Sequence, residues 1–573
     1  FTRFVDEIRD DLNPEISESD AIEMLAQHLV TKPVFDTLFQ GHNFVEENPV
    51  SRAIQGVLGQ LDRHRIEKES KTLERFYASV ERRAAGISTA TGRQQLVLEL
   101  YDKFFSKAFP GNTERLGIVY TPTEVVDFII HSVEDVMQQE FGKGLGSPNV
   151  HILDPFTGTG TFITRLLQSG VISPDQLAHK YKNEIHANEI ILLAYYIATI
   201  NIEAVYQDLS EEDDYQAFDG AVLTDTFQLY EQERDMIADL LPDNSNRRTA
   251  QKERDITVVI ANPPYSAGQK SANDNLANIK YTNLDSRITE TYAASSSATN
   301  KNALYDSYIR AFRWASDRIG DEGIIGFVSG AAWVDRNFAG GMRKHLRDDF
   351  SKIYVFHLRG DIRKNMLSKG LAGEGQNVFG QSSMTGIAIA ILVKNKSSTD
   401  RQILFHDIGK DLDKAQKLSV IKRFRSIEGI ATANKWRSIE PDDDHDWINQ
   451  GDKTFRKYIQ MGNKKDKSAT TVFQNYSSGL KTSRDAWCYN HSKGRLSQNM
   501  ERMIGFYNSE VARFVKERSA TTAEDFIDRD NTKISWSSGL LSAFKNQTEL
   551  TFQDQHFVSS LYRPFEKRWM YFH

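Results

Sequence analysis

A chain of 573 residues is too long for one ordinary hydrophobic core, and 39 % apolar with 26 % charged residues is the balance of a globular protein. No run of about 18 apolar residues occurs, so neither a membrane-spanning helix nor a membrane partner is expected. The net charge of −7 argues against a protein that coats nucleic acid over its whole surface, and the single cysteine, Cys488, excludes an internal disulfide and fits a reducing, intracellular compartment.

Residues 1–110 read as helices: "SESDAIEMLAQHLVTKPVFDTLF" opens on a Ser/Asp cap and repeats apolar residues at helical spacing, and "RQQLVLELYDKFFSKAF" does the same. The first residues, "FTRFVDEIRDDLNPE", are acidic and lack the shape of a signal peptide. The chain begins on Phe1 and stops in mid-pattern at "EKRWMYFH", so a piece of a longer polypeptide is expected.

Residues 111–400 have a different texture. Short apolar strands ("NVHILDPF", "EIHANEI", "GAVLTDTF", "DITVVIANPP", "GIIGFVSG", "KIYVFHL", "GIAIAILVK") alternate with amphipathic helices. That alternation predicts an α/β fold with a doubly wound, mostly parallel sheet, the strand at 386–394 being an antiparallel edge partner. Within it, "ILDPFTGTGTFITRLL" runs from a strand ending at Asp154 through a loop to a helix near Thr161. Gly158 and Gly160 let the backbone turn tightly and approach a ligand, but the spacing is not the dinucleotide fingerprint G-x-G-x-x-G. Glu189 and Asp225 end the next two strands. Ligands of doubly wound sheets sit over these carboxyl ends, where a carboxylate accepts from ribose hydroxyls or an adenine amino group. Each acid alone is more commonly a helix cap; three in the same slot point to a nucleoside held without a pyrophosphate clamp.

The fourth strand ends on Asn262-Pro263-Pro264-Tyr265. An exocyclic amino nitrogen of a nucleobase is a poor nucleophile because its lone pair is delocalised into the ring. A site that methylates it must accept both N–H bonds. The side-chain oxygen of Asn262 and the carbonyl of Pro263 can do so, the carbonyl held by the fixed φ of proline and by the following Pro264, and Tyr265 can stack on the base. Residues 266–302 are polar and are expected to be a long functional or disordered loop, with Arg287 and Lys301 as possible phosphate contacts. Residues 401–573 are mixed α/β, with a good helix in "SQNMERMIGFYNSEVARFVKE" and basic, aromatic-bearing flanks. Residues 451–573 carry about +7, which suits either a phosphate-facing surface or a solvated face.

"DPFTGTGTF" followed by "NPPY", with "GIVYTPTEVVDFI" upstream, resembles the γ class of S-adenosylmethionine-dependent DNA adenine-N6 methyltransferases, which share a Rossmann-like domain. The resemblance implies that Thr121 contacts the cofactor carboxylate, that Asp154, Phe156, Gly158 and Gly160 shape the methionine pocket, that Glu189 takes the ribose and Asp225 the cofactor adenine. Asn262, Pro263, Pro264 and Tyr265 would form the catalytic tetrapeptide, with Phe379 as a second plate on the base. Metal is not needed for methyl transfer from a sulfonium. "VTKPVFDTLF", "GLKTSRDAWCYN", "KISWSSGL" and "LYRPFEKRWMYF" further resemble the single-polypeptide Type ISP restriction-modification enzymes. On that resemblance residues 1–110 are the helical coupler, 111–400 the methyltransferase and 401–573 the DNA-contacting region leading into target recognition. Double-stranded DNA is the partner, and the location is the bacterial cytoplasm. No G-x-x-x-x-G-K-[ST] loop is present, so motor and nuclease domains are expected outside these residues.

Three other readings share part of this pattern. A glutamine-amide methyltransferase uses the same two-acceptor logic but has no need of a large basic C-terminal region. A cytosine-N4 methyltransferase is disfavoured by Asn rather than Ser at 262. A DNA-reading module without turnover has no use for an intact Asn262 and Tyr265.

Overall fold

In the computed structural model the described residues are 2–12, 18–38, 48–60, 74–87, 121–210, 215–231, 241–265, 281–298, 300–380 and 384–451, most of 454–572, and a few isolated positions. Most of "RQQLVLELYDKFFSKAF" and the first residues of "GIVYTPTEVVDFI" lie outside them. The chain divides into two compact units, Phe1–Gln450 and Gly451–His573. No helix among the described residues is long and apolar enough to cross a membrane.

The first unit is built on a nine-stranded sheet: β1 (His151–Asp154), β2 (Ile185–Glu189), β3 (Ala221–Leu223), β4 (Ile256–Ala261), β5 (Glu322–Gly330), β6 (Lys352–Arg359), β7 (Ile387–Asn395), β8 (Gln402–Asp407) and β9 (Arg437–Ser438), in the order β3-β2-β1-β4-β5-β7-β6-β8-β9. β1 to β5 are parallel, as the alternation of strands and helices dictates. The strands are near-continuous runs of Ile, Val, Leu and Ala because both faces are covered. Two features differ from the sequence expectation. β7 is antiparallel but lies inside the sheet, between β5 and β6. The sheet also continues beyond residue 400 through β8 and β9, so the compact unit reaches Gln450.

The helix Leu192–Leu209 shows why the N-terminal helices belong to this unit. It is apolar on every side, and Leu192 to Tyr206 are all buried. A helix covered only by a sheet would keep a polar stripe. Here its outer side is covered too: His28 Nδ1 lies 3.0 Å from the hydroxyl of Tyr196, and Asn48 Nδ2 donates to the hydroxyl of Tyr195 at 3.2 Å. Between the glycine loop and β2 the chain forms the helix Pro174–Asn183, started by a capping box between Ser173 and Gln176.

Residues 281–293 are not a solvated loop. Tyr281 leads into the helix Thr282–Ile288 and a π-helical turn Thr289–Ala293, and Leu284, Ile288, Tyr292 and Ala293 are buried in the core. Arg287, itself exposed, pairs with Asp317 at 3.0 Å, and Lys301 donates to the carbonyl of Ala293. Residues 266–280 lie outside the described residues.

In the second unit the helix Lys493–Glu517 buries Leu496, Met500, Met503, Ile504, Tyr507 and Val511 along one side. It packs with a three-stranded antiparallel sheet of β10 (Tyr489–Asn490), β12 (Glu566–Tyr571) and β11 (Phe557–Arg563). Lys493 lies over the rings of both Phe557 and Trp569, 5.3 and 5.5 Å from their centroids. Cys488 is buried, which pushes its thiol up to about 11.

Candidate active site

The carboxyl ends of β1, β2, β3 and β4 lie side by side because all four strands run the same way. The residues singled out in the sequence gather there in two hydrogen-bonded groups.

The first group surrounds the glycine loop. Asp154 ends β1 fully buried; one of its oxygens accepts from the amide of Phe156 at 3.2 Å, and the other, Oδ2, is buried without a partner. Burial holds this carboxyl well above the usual carboxylate range. A cationic group brought to Oδ2 would satisfy it. Gly158 has φ +56°, with open space where a Cβ would stand, whereas Gly160 has φ +88° and a Cβ there would press on the backbone of Ala198 at 3.1 Å. The two glycines therefore serve different needs: Gly160 seats the loop on the helix Leu192–Leu209, and Gly158 leaves room on the open side. Glu189 ends β2. Its Oε2 accepts from the amide of Gly158 at 2.8 Å, and its Oε1 accepts from the amides of Ile190 and Ile191. Burial raises it to about 7 despite these three donors. Asp225 follows β3. Its Oδ1 accepts from the amides of Phe227 and Gln228, and its Oδ2 from the hydroxyl of Tyr281 at 2.9 Å. It thus caps the turn that follows and closes residues 281–288 over this end of the site. Phe156, half-buried, packs against Phe227 with ring centroids 5.4 Å apart.

The second group is at the end of β4. Asn262 Nδ2 donates to the hydroxyl oxygen of Thr121 at 3.0 Å, and Asn262 Oδ1 accepts from the hydroxyl of Tyr265 at 2.9 Å. The amide is held at both ends, so its oxygen faces Tyr265. An amide oxygen has two lone pairs, and one remains to accept a further N–H. Pro263 is buried and Pro264 half-buried. Burial holds the phenol of Tyr265 far above its ordinary value, so it stays a donor.

Phe379 is buried, its amide donating to Asn377 Oδ1 at 2.9 Å, and belongs to the core cluster that includes Val378 and Ile387, while Tyr265 packs against the cluster of Tyr308 and Phe327. The aromatic neighbour of Tyr265 is Tyr308, with ring centroids 6.0 Å apart and 60° between planes. Both rings lie over Gly330 at the end of β5, where a Cβ would come within 3.7 Å of each. Tyr308, Gly330 and Tyr281 were not singled out in the sequence. Tyr308 carries no local signal, since its spacing is that of any core residue of the helix Ser307–Arg318.

Residues 1–92 match the family described as Type ISP restriction-modification enzyme, coupler domain; residues 93–303 match N-6 DNA methylase; and residues 471–573 match the Type ISP C-terminal specificity domain. Among solved structures, the whole chain superposes on the ATP-dependent Type ISP restriction-modification enzyme LlaBIII bound to DNA, with 42 % identity and a TM-score of 0.88. It also superposes on a nuclease-deletion mutant of the Type ISP enzyme LlaGI in complex with a DNA substrate mimic (42 % identity, TM-score 0.86) and on a DrdV–DNA complex solved by cryo-electron microscopy (31 % identity, TM-score 0.84). The chain spans 37 %, 46 % and 55 % of those three chains. No curated protein matches.

Proposed function

The chain belongs to the Type ISP restriction-modification family, matching its coupler, methyltransferase and specificity segments, and from that premise we propose that it carries the adenine-N6 DNA methyltransferase of such an enzyme. The observation that carries the reading is the clamped amide of Asn262, anchored by Thr121 and Tyr265 with one acceptor lone pair left at the end of a parallel strand.

S-adenosylmethionine, the cofactor of this reading, supplies a methyl group made electrophilic by a sulfonium. The residues present fit it: Asp154 has an unpaired buried oxygen for a cationic amine, Gly158 leaves open space, and Glu189 offers a buried carboxylate to ribose hydroxyls. Thr121 accepts from Asn262 and so keeps its own O–H for the cofactor carboxylate. Phe156 and Gly160 shape the methionine side of the pocket, and Asp225 receives the adenine amino group of the cofactor. Asn262 Oδ1 and the carbonyl of Pro263 accept the two N–H bonds of the target adenine, which favours a pyramidal N6 with its lone pair exposed. Aimed acceptors held before the reaction are worth more than groups that must reorient during it. The target base cannot be reached inside a duplex and is extruded, at a cost of a few kcal/mol that stacking on Tyr265 offsets.

Double-stranded DNA is the substrate, and the motor and nuclease of the enzyme lie outside these residues. The test is incubation with labelled S-adenosylmethionine and plasmid DNA, followed by nucleoside analysis. N6-methyladenine is expected from the wild type and is lost in Asn262→Ala with duplex binding retained. Loss of binding instead of methylation would favour a DNA-reading module without turnover.

A further inference from the structure

After β6 the chain forms a projecting knob, residues 362–373, whose base is tightly built and whose outer surface is apolar. At the base, Gly360 donates to the carbonyl of Glu374 at 3.0 Å, Asp361 donates through its amide to the Glu374 carboxylate at 3.1 Å, and Arg359 donates to the carbonyl of Ala372 at 3.1 Å. The buried Lys417 ties the same base by donating to the carbonyls of Leu358 and Glu374, at 2.8 and 2.9 Å. Inside the knob, Asp361 caps the short helix Ile362–Leu367 by accepting from Lys364, Gly370 donates to Asn365, and Ala372 donates to the hydroxyl of Ser368. With its backbone satisfied internally, the knob has a defined shape.

What it presents is unusual for such a shape. Met366 is 68 % exposed, and Leu367 and Leu371 are 87 % exposed, although no residue of the short helix is buried. Large apolar side chains held together in the open mark an interaction surface. Arg363 and Lys369 flank them, both exposed, and no acidic residue occurs between 362 and 373. The two acids at its base, Asp361 and Glu374, are buried and hydrogen-bonded.

The topology places the knob on the edge that carries Asn262. β4 is parallel to β5, and β6 is antiparallel to β7, which is antiparallel to β5; β6 therefore ends at the same edge as β4. The level is the same as well, since Gly330 beneath Tyr265 pairs with Ile387, and Ile387 pairs with Arg359. Three strand spacings separate β4 from β6, roughly 14 Å along the edge. That is the length of a few base-pair steps. A duplex presenting a base to Asn262 reaches the knob.

We propose that residues 362–373 are a wedge for duplex DNA. Met366, Leu367 and Leu371 press against the base stack beside the extruded nucleotide, and Arg363 and Lys369 sit at the flanking phosphates. Apolar side chains inserted at a base step partly unstack it, which lowers the cost of removing the neighbouring base. The proposal rests on the methyltransferase reading above and adds to it the group that loosens the stack.

The test uses the whole chain with Met366, Leu367 and Leu371 changed together to Ala, and a duplex carrying the site mapped by sequencing plasmid DNA methylated by the wild type. All three side chains are exposed, so the thermal midpoint should match that of the wild type. Turnover on the matched duplex should fall about tenfold or more. On the same duplex with the target adenine mispaired, and so already loosened, the fall should be within about threefold. Equal falls on both duplexes, or none on either, overturn the wedge and point to docking of a protein segment or to no role. A wild type that transfers no methyl group to plasmid DNA sinks the methyltransferase reading instead. The wedge is then judged by affinity for a random-sequence duplex: a tenfold loss in the triple variant sustains it and an unchanged affinity overturns it.

Discussion

Tyr265 donates its hydroxyl to the side-chain oxygen of Asn262 across 2.9 Å. The ring expected to stack on the base and the atom expected to accept its proton are thus joined before any substrate arrives. The bond ties the end of the ring to the amide and leaves one lone pair of Oδ1 free. Ring and hydroxyl can be separated by mutation. Tyr265→Phe keeps the stacking surface and should retain turnover within about tenfold. Tyr265→Ala loses base stacking of about 1–3 kcal/mol, which is roughly 5- to 150-fold in turnover, with cofactor affinity nearly unchanged. Steady-state kinetics with both substrates varied reads the split.

Thr121 touches the other end of the same amide. A side chain that served only the cofactor would be compensated by more cofactor. Thr121 also fixes which way the Asn262 amide faces, so Thr121→Val should keep a turnover defect of about tenfold at saturating cofactor. Thr121→Ser, which preserves the hydroxyl, should stay within about threefold of the wild type. Full recovery of Thr121→Val at high cofactor would limit the residue to cofactor binding.

The two glycines of the loop should part company on substitution. Both have left-handed backbone, which costs a side chain about 1–2 kcal/mol. At Gly158 nothing stands in the way of a methyl group, so Gly158→Ala should lose about that much stability while its cofactor affinity drops more than tenfold. At Gly160 the methyl group also meets the backbone of Ala198 at 3.1 Å, and the loss of stability should reach about 2–5 kcal/mol. Chemical denaturation and calorimetric titration separate the two effects.

Glu189 should make cofactor binding depend on pH. Burial raises its carboxyl from the ordinary value to about 7, so below pH 7 the folded, unliganded protein favours the neutral acid. Its contribution to stability is therefore present at acid pH and is lost as pH rises through about 7. A ribose donates hydroxyl protons and prefers the carboxylate, so affinity should strengthen across the same window, by up to about tenfold per pH unit below 7. Titration calorimetry between pH 6 and 8 should show that slope in the wild type and a flat, weaker response in Glu189→Gln.

Phe379 should behave as a core residue. It is 5 % exposed within the core cluster that includes Val378 and Ile387, so Phe379→Ala should cost about 3–5 kcal/mol of stability. The folded fraction should turn over at nearly the wild-type rate, whereas Tyr308→Ala, beside Tyr265, should lower turnover.

Much of this architecture was legible in the chain because its signals are local. Strands β1 to β4 announce themselves as apolar runs ending on an acid or on Asn262, and the glycines at 158 and 160 mark the loop. Strand order is not local: nothing in "GIAIAILVK" says that β7 enters between β5 and β6, since a strand buried on both faces reads alike at the edge or the centre. The helix at 282–288 was hidden by its polar neighbours, although Leu284, Ile288 and Tyr292 stand at spacings of four and are all buried. Tyr308 was missed for a different reason. It reaches Tyr265 only because the helix Ser307–Arg318 and the end of β5 converge on Gly330, and only folding brings them together.

The central claim is that Asn262 and Pro263 take the two hydrogens of one extruded adenine. A structure with S-adenosylhomocysteine and a duplex carrying the mapped site tests it most directly. The adenine is expected outside the helix, with N6 within about 3 Å of both Asn262 Oδ1 and the carbonyl oxygen of Pro263. A target base left stacked in the duplex, or an N6 directed at other acceptors, would contradict it.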